Sequence, residues 1–154
     1  MQQFTNTEAL IDEEIRRGAT TIVIVGDDNT FGRVLSRAAT CHVLFGFIPL
    51  GKENSIASVL GIPVGTEACE VLSRRRKIPL DVGWVNNRYF VSQLHIPPHN
   101  IRVEYDEQFV VYSKRKKMEL VVSNLQPFVL EGKKQTNVHP QDGKLEAFLR
   151  SLAK

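Results

Sequence analysis

Two short segments of this chain combine the residue types that handle phosphate. Gly26-Asp27-Asp28-Asn29-Thr30 follows an uncharged β-branched run, Thr21-Ile22-Val23-Ile24-Val25. Ile48-Pro49-Leu50-Gly51-Lys52-Glu53-Asn54-Ser55 closes a second apolar run that begins at Val43. A strand that feeds a tight turn and then a helix aims backbone N–H groups and the helix dipole at one spot, and that spot favours an anion. Glycine usually makes such a turn, because the backbone must take positive φ and approach the ligand closely. The first turn has one glycine, two carboxylates and Asn29, a residue type that tolerates the left-handed conformation. The plainer reading of the same residues is a polar strand-to-helix turn with an Asp or Asn cap.

The flanking elements decide whether the two turns can meet. Thr7 to Gly18 reads as a helix with Leu10, Ile11 and Ile15 on one face, acids early, Arg16 and Arg17 late, and Gly18 as its stop. The run from Thr21 to Val25 predicts a strand buried on both faces, as in a parallel sheet. Phe31 to Ala39 predicts a second helix, and Val43 to Ile48 a second buried strand stopped at Pro49-Leu50-Gly51. Asn54 is placed to cap a third helix through Leu60, ended by Gly61, and Thr66 to Ser73 predicts a fourth. Two such turns on neighbouring parallel strands face each other at the carboxyl edge of the sheet, where α/β folds bind ligands.

Beyond Arg74-Arg75-Arg76-Lys77 the pattern changes. Leu80 to Val85 and Arg88 to Leu94 predict a hairpin about Asn86-Asn87. After Pro97-Pro98, short strands are expected at 101–105, 108–112, 118–123 and 145–149. The expectation is therefore an α/β N-terminal half, residues 1–78, with a small parallel sheet and helices. An antiparallel β-rich half, residues 79–154, follows it.

Bulk properties narrow the class. The 154 residues are 42% hydrophobic and 24% charged, an ordinary globular composition. The net charge of +3 is mild, and compatible with an anionic partner without requiring one. The polar, acidic start carries no targeting signal, and the longest apolar stretch is too short to span a bilayer. Cys41 and Cys69 lack metal spacing and are expected as free buried thiols in a reducing, cytoplasmic compartment. The four histidines form no ligand pattern, and no metal site is expected.

With these elements in order, the chain resembles the diacylglycerol kinase catalytic-domain family, which includes sphingosine kinases and bacterial lipid kinases. Gly26-Asp27-Asp28-Asn29-Thr30 stands where the family has Gly-Gly-Asp-Gly-Thr. Pro49-Leu50-Gly51-Lys52-Glu53-Asn54-Ser55 stands where it has Pro-Leu-Gly-Thr-Gly-Asn-Asp, and Leu60-Gly61-Ile62-Pro63 is intact. Leu80-Asp81-Val82-Gly83, Asn86 to Phe90, Val122-Ser123-Asn124 and Pro140 to Glu146 resemble the family's hairpin, closing strands and Asp-Gly signature. The resemblance implies an NAD kinase/diacylglycerol kinase-like fold and, in an active member, ATP with Mg²⁺. It implies catalytic roles for Asp28 and Asp142. It implies nucleotide contacts at Gly26, Asp27, Asn29, Thr30, Gly51, Lys52 and Asn54.

The departures fall on the phosphate contacts. Asp27 and Asn29 replace glycines, Lys52 and Glu53 replace Thr and Gly, and Ser55 replaces Asp. Each added Cβ costs about 1–2 kcal/mol where the backbone is left-handed. A carboxylate 4 Å from a phosphate charge is repelled by about 4 kcal/mol at an effective dielectric near 20. Asp27 and Glu53 can each impose that repulsion, and Lys52 or a bridging Mg²⁺ can offset part of it. The family's first strand and helix, and its insertion between Leu94 and Ile101, are expected to be absent. The expectation is a nucleotide-site scaffold with weak or absent lipid kinase activity. The alternatives are an active divergent kinase for a lipid or small alcohol, and a non-catalytic assembly module, for instance a homo-oligomer that completes a thin sheet. The basic clusters Arg74 to Lys77 and Lys114 to Lys117 suit an anionic lipid or peripheral membrane surface, or are plain solvated turns. Nucleic acid is not an expected partner, because no aromatic residues interleave the basic ones.

Overall fold

The computed structural model describes residues 6–52, 54–114, 116–125 and 138–151. The chain forms two compact units, Met1–Pro79 with Trp84–Val91, and Leu80–Gly83 with Ser92–Lys154.

The first unit opens with α1 (Thr7–Arg16), whose Asn6 cap accepts hydrogen bonds from the backbone N–H groups of Glu8 and Ala9. Then come β1 (Thr21–Gly26), α2 (Asp28–Ala38), β2 (Leu44–Pro49), α3 (Ser55–Leu60), a 3₁₀ turn (Gly65–Glu67) and α4 (Ala68–Ser73). The α2 and α4 helices differ from expectation at their starts, because Asp28 and Asn29 already belong to α2 and a 3₁₀ turn precedes α4. Gly61, in the left-handed conformation at φ 68°, closes α3.

Strands β1 and β2 pair in parallel with Ile22 opposite Phe45, Ile24 opposite Phe47 and Gly26 opposite Pro49. Ile22, Ile24, Phe45 and Phe47 therefore share one sheet face. Helix α2 lies on it with Phe31, Val34, Leu35 and Ala38 buried, the i, i+3, i+4, i+7 stripe of an amphipathic helix. Phe31 meets Phe47 edge-to-face at 5.0 Å. Helix α1 buries Ile11, and an ion pair joins its Asp12 to Arg37 of α2. That pair holds the Asp12 carboxyl below its ordinary range.

The other face corrects an expectation. Val23 is 48% and Val25 52% exposed, so β1 is covered on one side only. Helix α4 lies over Gly46, where a Cβ would come within 2.7 Å of Leu72, and leaves the outer half of that face open. The thiols also differ from expectation, Cys41 being half-buried and Cys69 exposed. In α4, Ala68 is buried and Leu72 half-buried, which sends Cys69 outward.

Strands β3 (Gly83–Val85) and β4 (Arg88–Phe90) form the inner part of the expected hairpin, Gln93 and Leu94 starting a separate strand, with Asn86 and Asn87 both at positive φ, as a type I′ turn requires. In the second unit β5 (Gln93–His99), β8 (Met118–Ser123) and β9 (Glu146–Ser151) form an antiparallel sheet with β8 central, and β6 (Arg102–Tyr105) pairs with β7 (Phe109–Tyr112). Strand β5 runs through Pro97-Pro98, where sequence reasoning expects a break. Among the described residues it is an edge strand, with a register shift between Ile96 and His99, a place where missing N–H groups cost no ladder bonds. Glu119 on β8 links Arg150 of β9 and His95 of β5, and the Arg150 hydrogen bond, then that of His95, lowers its pKa.

Phe47 is 4% exposed and carries the closer of the two aromatic contacts that Phe31 of α2 makes with β2. Phe47→Ala is expected to lower the unfolding free energy by about 3–4 kcal/mol in urea titration. A loss under about 1 kcal/mol would show that α2 is held by other contacts.

Candidate functional site

The parallel register sets the site. Gly26 stands opposite Pro49, and the Leu50 N–H donates to the Gly26 carbonyl at 2.7 Å, so both strands release their chains at the same level. The two turns therefore begin side by side at the carboxyl edge of the sheet.

Each turn is then fixed by a carboxylate. Asp27 is the N-cap of α2, and its Oδ1 accepts from the Thr30 N–H at 2.8 Å and the Thr30 hydroxyl at 2.7 Å. These bonds, backbone first, hold the Asp27 carboxyl below its ordinary range, with Arg33 adding a smaller attraction. Gly26 is needed beside them, since a Cβ there would lie 2.8–3.0 Å from the anchored Thr30 side chain.

Asp28 reaches across to the second turn. Its Oδ2 accepts from the Ser55 N–H at 2.7 Å and from the Ser55 hydroxyl, and its Oδ1 accepts from the Ile56 N–H at 3.2 Å. The carboxylate of one loop thus caps the helix of the other. This corrects the expectation for Asn54. Its side chain caps nothing; Nδ2 donates to the Gly51 carbonyl at 2.9 Å, and Oδ1 is buried without a partner. Asp28 fills the place the Asn54 side chain would have taken. Gly51, at φ 88°, supplies the left-handed bend between Pro49 and this helix.

The result is an open cleft of about 660 Å³ lined by Asp28, Gly51, Lys52, Asn54, Ser55 and Val64. Its size suits a small-molecule ligand. Four of the expected residues, Asp28, Gly51, Lys52 and Asn54, come together in it. Gly26, Asp27 and Thr30 form the turn that presents Asp28, and Asn29 points to solvent on the first turn of α2. Glu53 lies outside the described residues. Asp142 belongs to the second unit, where its Oδ1 accepts from the Lys144 N–H at 3.0 Å. Sequence reasoning missed Ser55 as the donor to Asp28, Val64 as a wall, and Asp81 as a clamp. The Asp81 N–H donates to the Pro140 carbonyl and its carboxylate accepts from the Gly143 N–H, which fixes the turn that carries Asp142. Only the Asp-x-x-Ser-type spacing of a cap could have flagged Ser55, and here the cap comes from 27 residues away.

The chemistry of the cleft follows from which donors are free. The first-turn N–H groups of α3 that would meet an anion already bind Asp28, and the Thr30 N–H of α2 binds Asp27. Lys52 contributes an exposed positive charge. Among the described residues no group of three His, Cys, Asp or Glu side chains is placed to hold a metal ion, and no helix is long and apolar enough to cross a membrane. The basic residues Arg74 to Lys77, Lys114, Lys116 and Lys117 are exposed, and Arg115 lies outside the described residues.

Comparison with known proteins agrees with this fold. Residues 2–85 match the model of the diacylglycerol kinase catalytic domain. Proteins named "Probable lipid kinase YegS-like" from Pseudomonas aeruginosa strains UCBPP-PA14 and PAO1 are each 29% identical over 85 residues, 54% of this chain. The chain spans 28% of the length of these relatives. A solved structure of a diacylglycerol kinase from Bacillus anthracis str. Sterne superposes with a TM-score of 0.75 at 20% identity, covering 97% of this chain and 61% of that one. At that identity the likeness is one of fold.

Two substitutions separate the carboxylates. Asp28→Ala leaves the Ser55 and Ile56 N–H groups without their acceptor and should cost about 1–3 kcal/mol in urea titration, with Asp28→Asn losing less because one acceptor remains. Asp27 has a lower pKa folded than unfolded. Its stabilisation is therefore complete above the unfolded value, near 3.8, and is lost as pH falls through the lower folded value. Asp27→Asn should make the acid limb of the stability–pH curve shallower below about pH 4; an unchanged limb would refute the Thr30 bonds.

Proposed function

The chain belongs to the diacylglycerol kinase catalytic-domain family, and from that membership we propose that it is a nucleotide-site scaffold of the family with weak or absent ATP-dependent lipid kinase activity. One observation carries the reading. The carboxylates of Asp27 and Asp28 occupy the helix N-terminal donors that a phosphate would need. An incoming triphosphate has to displace them and then tolerate their charge. At about 4 Å and an effective dielectric near 20 that repulsion is roughly 4 kcal/mol per charge pair, close to a thousandfold in affinity. Lys52, on the rim of the same cleft, offsets part of it.

Phosphoryl transfer depends on positioning and on stabilising charge, so a site that satisfies its own donors has little left to contribute. Both oxygens of Asp28 already accept hydrogen bonds from α3. Were ATP to bind, Gly51 and Lys52 would meet its phosphates, and Mg²⁺ would supply positive charge.

Isothermal titration with Mg-ATP tests the proposal. Wild type should bind more weakly than about 0.1 mM and show no turnover with diacylglycerol vesicles. Asp27→Gly restores the family residue at little cost as a cap and should strengthen binding at least tenfold. Submicromolar binding together with turnover by wild type would overturn the proposal in favour of an active kinase.

A further inference from the structure

We infer that the loop after α4 docks the first unit on an anionic phospholipid surface, with Arg74, Arg75, Arg76 and Lys77 on the headgroups and Ile78 and Trp84 at the acyl boundary. Helix α4 ends at Ser73, and Arg75, at φ 49°, turns the chain out of it. Every residue from Ser73 to Pro79 is exposed. From Val71 to Leu80 the chain carries four positive charges and no negative one. These four exceed the +3 of the whole chain, so the rest of it sums to −1. The four charges are also unpaired. Arg17, Arg37, Arg102 and Arg150 each lie against a carboxylate. Among the described residues no carboxylate lies against Arg74, Arg75, Arg76 or Lys77. Asp81, the next acid along the chain, accepts from the Gly143 N–H instead.

A solvated turn would account for the charge alone. The apolar residues beside it need another account. Trp84 at 60% and Ile78 at 59% are the most exposed large apolar side chains among the described residues. Both belong to the first unit, and the six residues of chain between them keep their Cα atoms within about 20 Å. Ile78 directly follows Lys77. This combination selects the occupant. On a nucleic acid the basic side chains find phosphate, but an isoleucine has no planar face to offer a base. A folded protein partner buries about 800 Å² a side around a shaped, close-packed centre. A charged loop with two apolar side chains offers no such centre, and a fluid bilayer asks for none. There the aliphatic side chain enters the acyl boundary, the indole sits at headgroup level, and the basic run meets anionic headgroups. Stable anchoring at a bilayer takes two signals, and this loop carries both.

Trp84 is the one tryptophan of the chain, so its fluorescence reports docking directly. The full chain, without nucleotide, is mixed with vesicles of phosphatidylcholine alone or with about 30% phosphatidylserine, at about 0.1 M salt. Co-sedimentation and a blue shift of Trp84 emission should appear with phosphatidylserine only. Both should fade near 1 M salt, where charges are screened beyond about 3 Å. Each basic residue near such a surface is worth about fivefold in partitioning, so Arg74→Gln with Arg76→Gln should weaken binding about 25-fold. Ile78→Ser should weaken it with circular dichroism unchanged. Absence of either the phosphatidylserine-dependent binding or the blue shift in wild type would overturn the inference. So would binding that survives Arg74→Gln with Arg76→Gln but is lost in Lys114→Gln with Lys116→Gln, by assigning the contact to the other basic cluster. Capture of a single-stranded oligonucleotide by a chain that leaves vesicles unbound would overturn it in favour of nucleic acid. No nucleotide or kinase acceptor takes part, so failure here leaves the reading of the cleft standing, and the reverse also holds.

Discussion

The carboxylate of Asp28 is the joint on which the first unit's carboxyl edge depends. It belongs to the first turn of α2, yet its acceptors serve Ser55 and Ile56 of α3. One side chain thus ties two loops that are 27 residues apart in sequence. Its partner Asp27 anchors Thr30 within its own loop. Together the two carboxylates accept from five donor groups: the Thr30 N–H and hydroxyl, the Ser55 N–H and hydroxyl, and the Ile56 N–H. The shape of the cleft is therefore held by the chain itself. In a phosphate-binding loop the same shape is stabilised by the ligand, and the empty loop keeps its donors unfilled.

Framework and site residues are separable in this chain. The register between β1 and β2, the Gly51 bend and the Gly61 stop are backbone features, and they place the turns without reference to what binds there. The replacements at 27, 29, 52 and 55 alter the donors and charges while leaving that frame intact. Fold follows from the apolar pattern and glycines of the strands and helices; chemistry follows from a handful of side chains at their ends.

Much of this was legible in the sequence, for physical reasons that can be named. The stripe Phe31, Val34, Leu35, Ala38 and the two apolar runs specify a helix on a parallel pair, and Asn86-Asn87 specifies its turn. The location of the cleft followed, since parallel strands must release their turns on one side. The wiring within it did not follow. Cap assignment uses local spacing, which pointed to Asn54, whereas the acceptor came from a distant loop that only the register brings near. The run from Thr21 to Val25 reads as doubly buried because β-branched residues signal a strand, not how many layers cover it. Pro97-Pro98 read as a break because a proline's cost depends on whether its strand is central or at an edge, a property of the sheet and not of the segment.

The pairing of Gly26 with Pro49, extended by the Leu50 to Gly26 hydrogen bond, has a consequence for how this chain can vary over generations. A residue gained or lost within either strand would invert which side chains face α2 and would also push one turn out of step with the other. The connection from Ala39 to Val43 has no such phase to keep, because its ends are fixed by the helix and the strand that it joins. Insertions and deletions should therefore accumulate in that connection and be absent from 21–26 and 44–50, whatever becomes of the ligand.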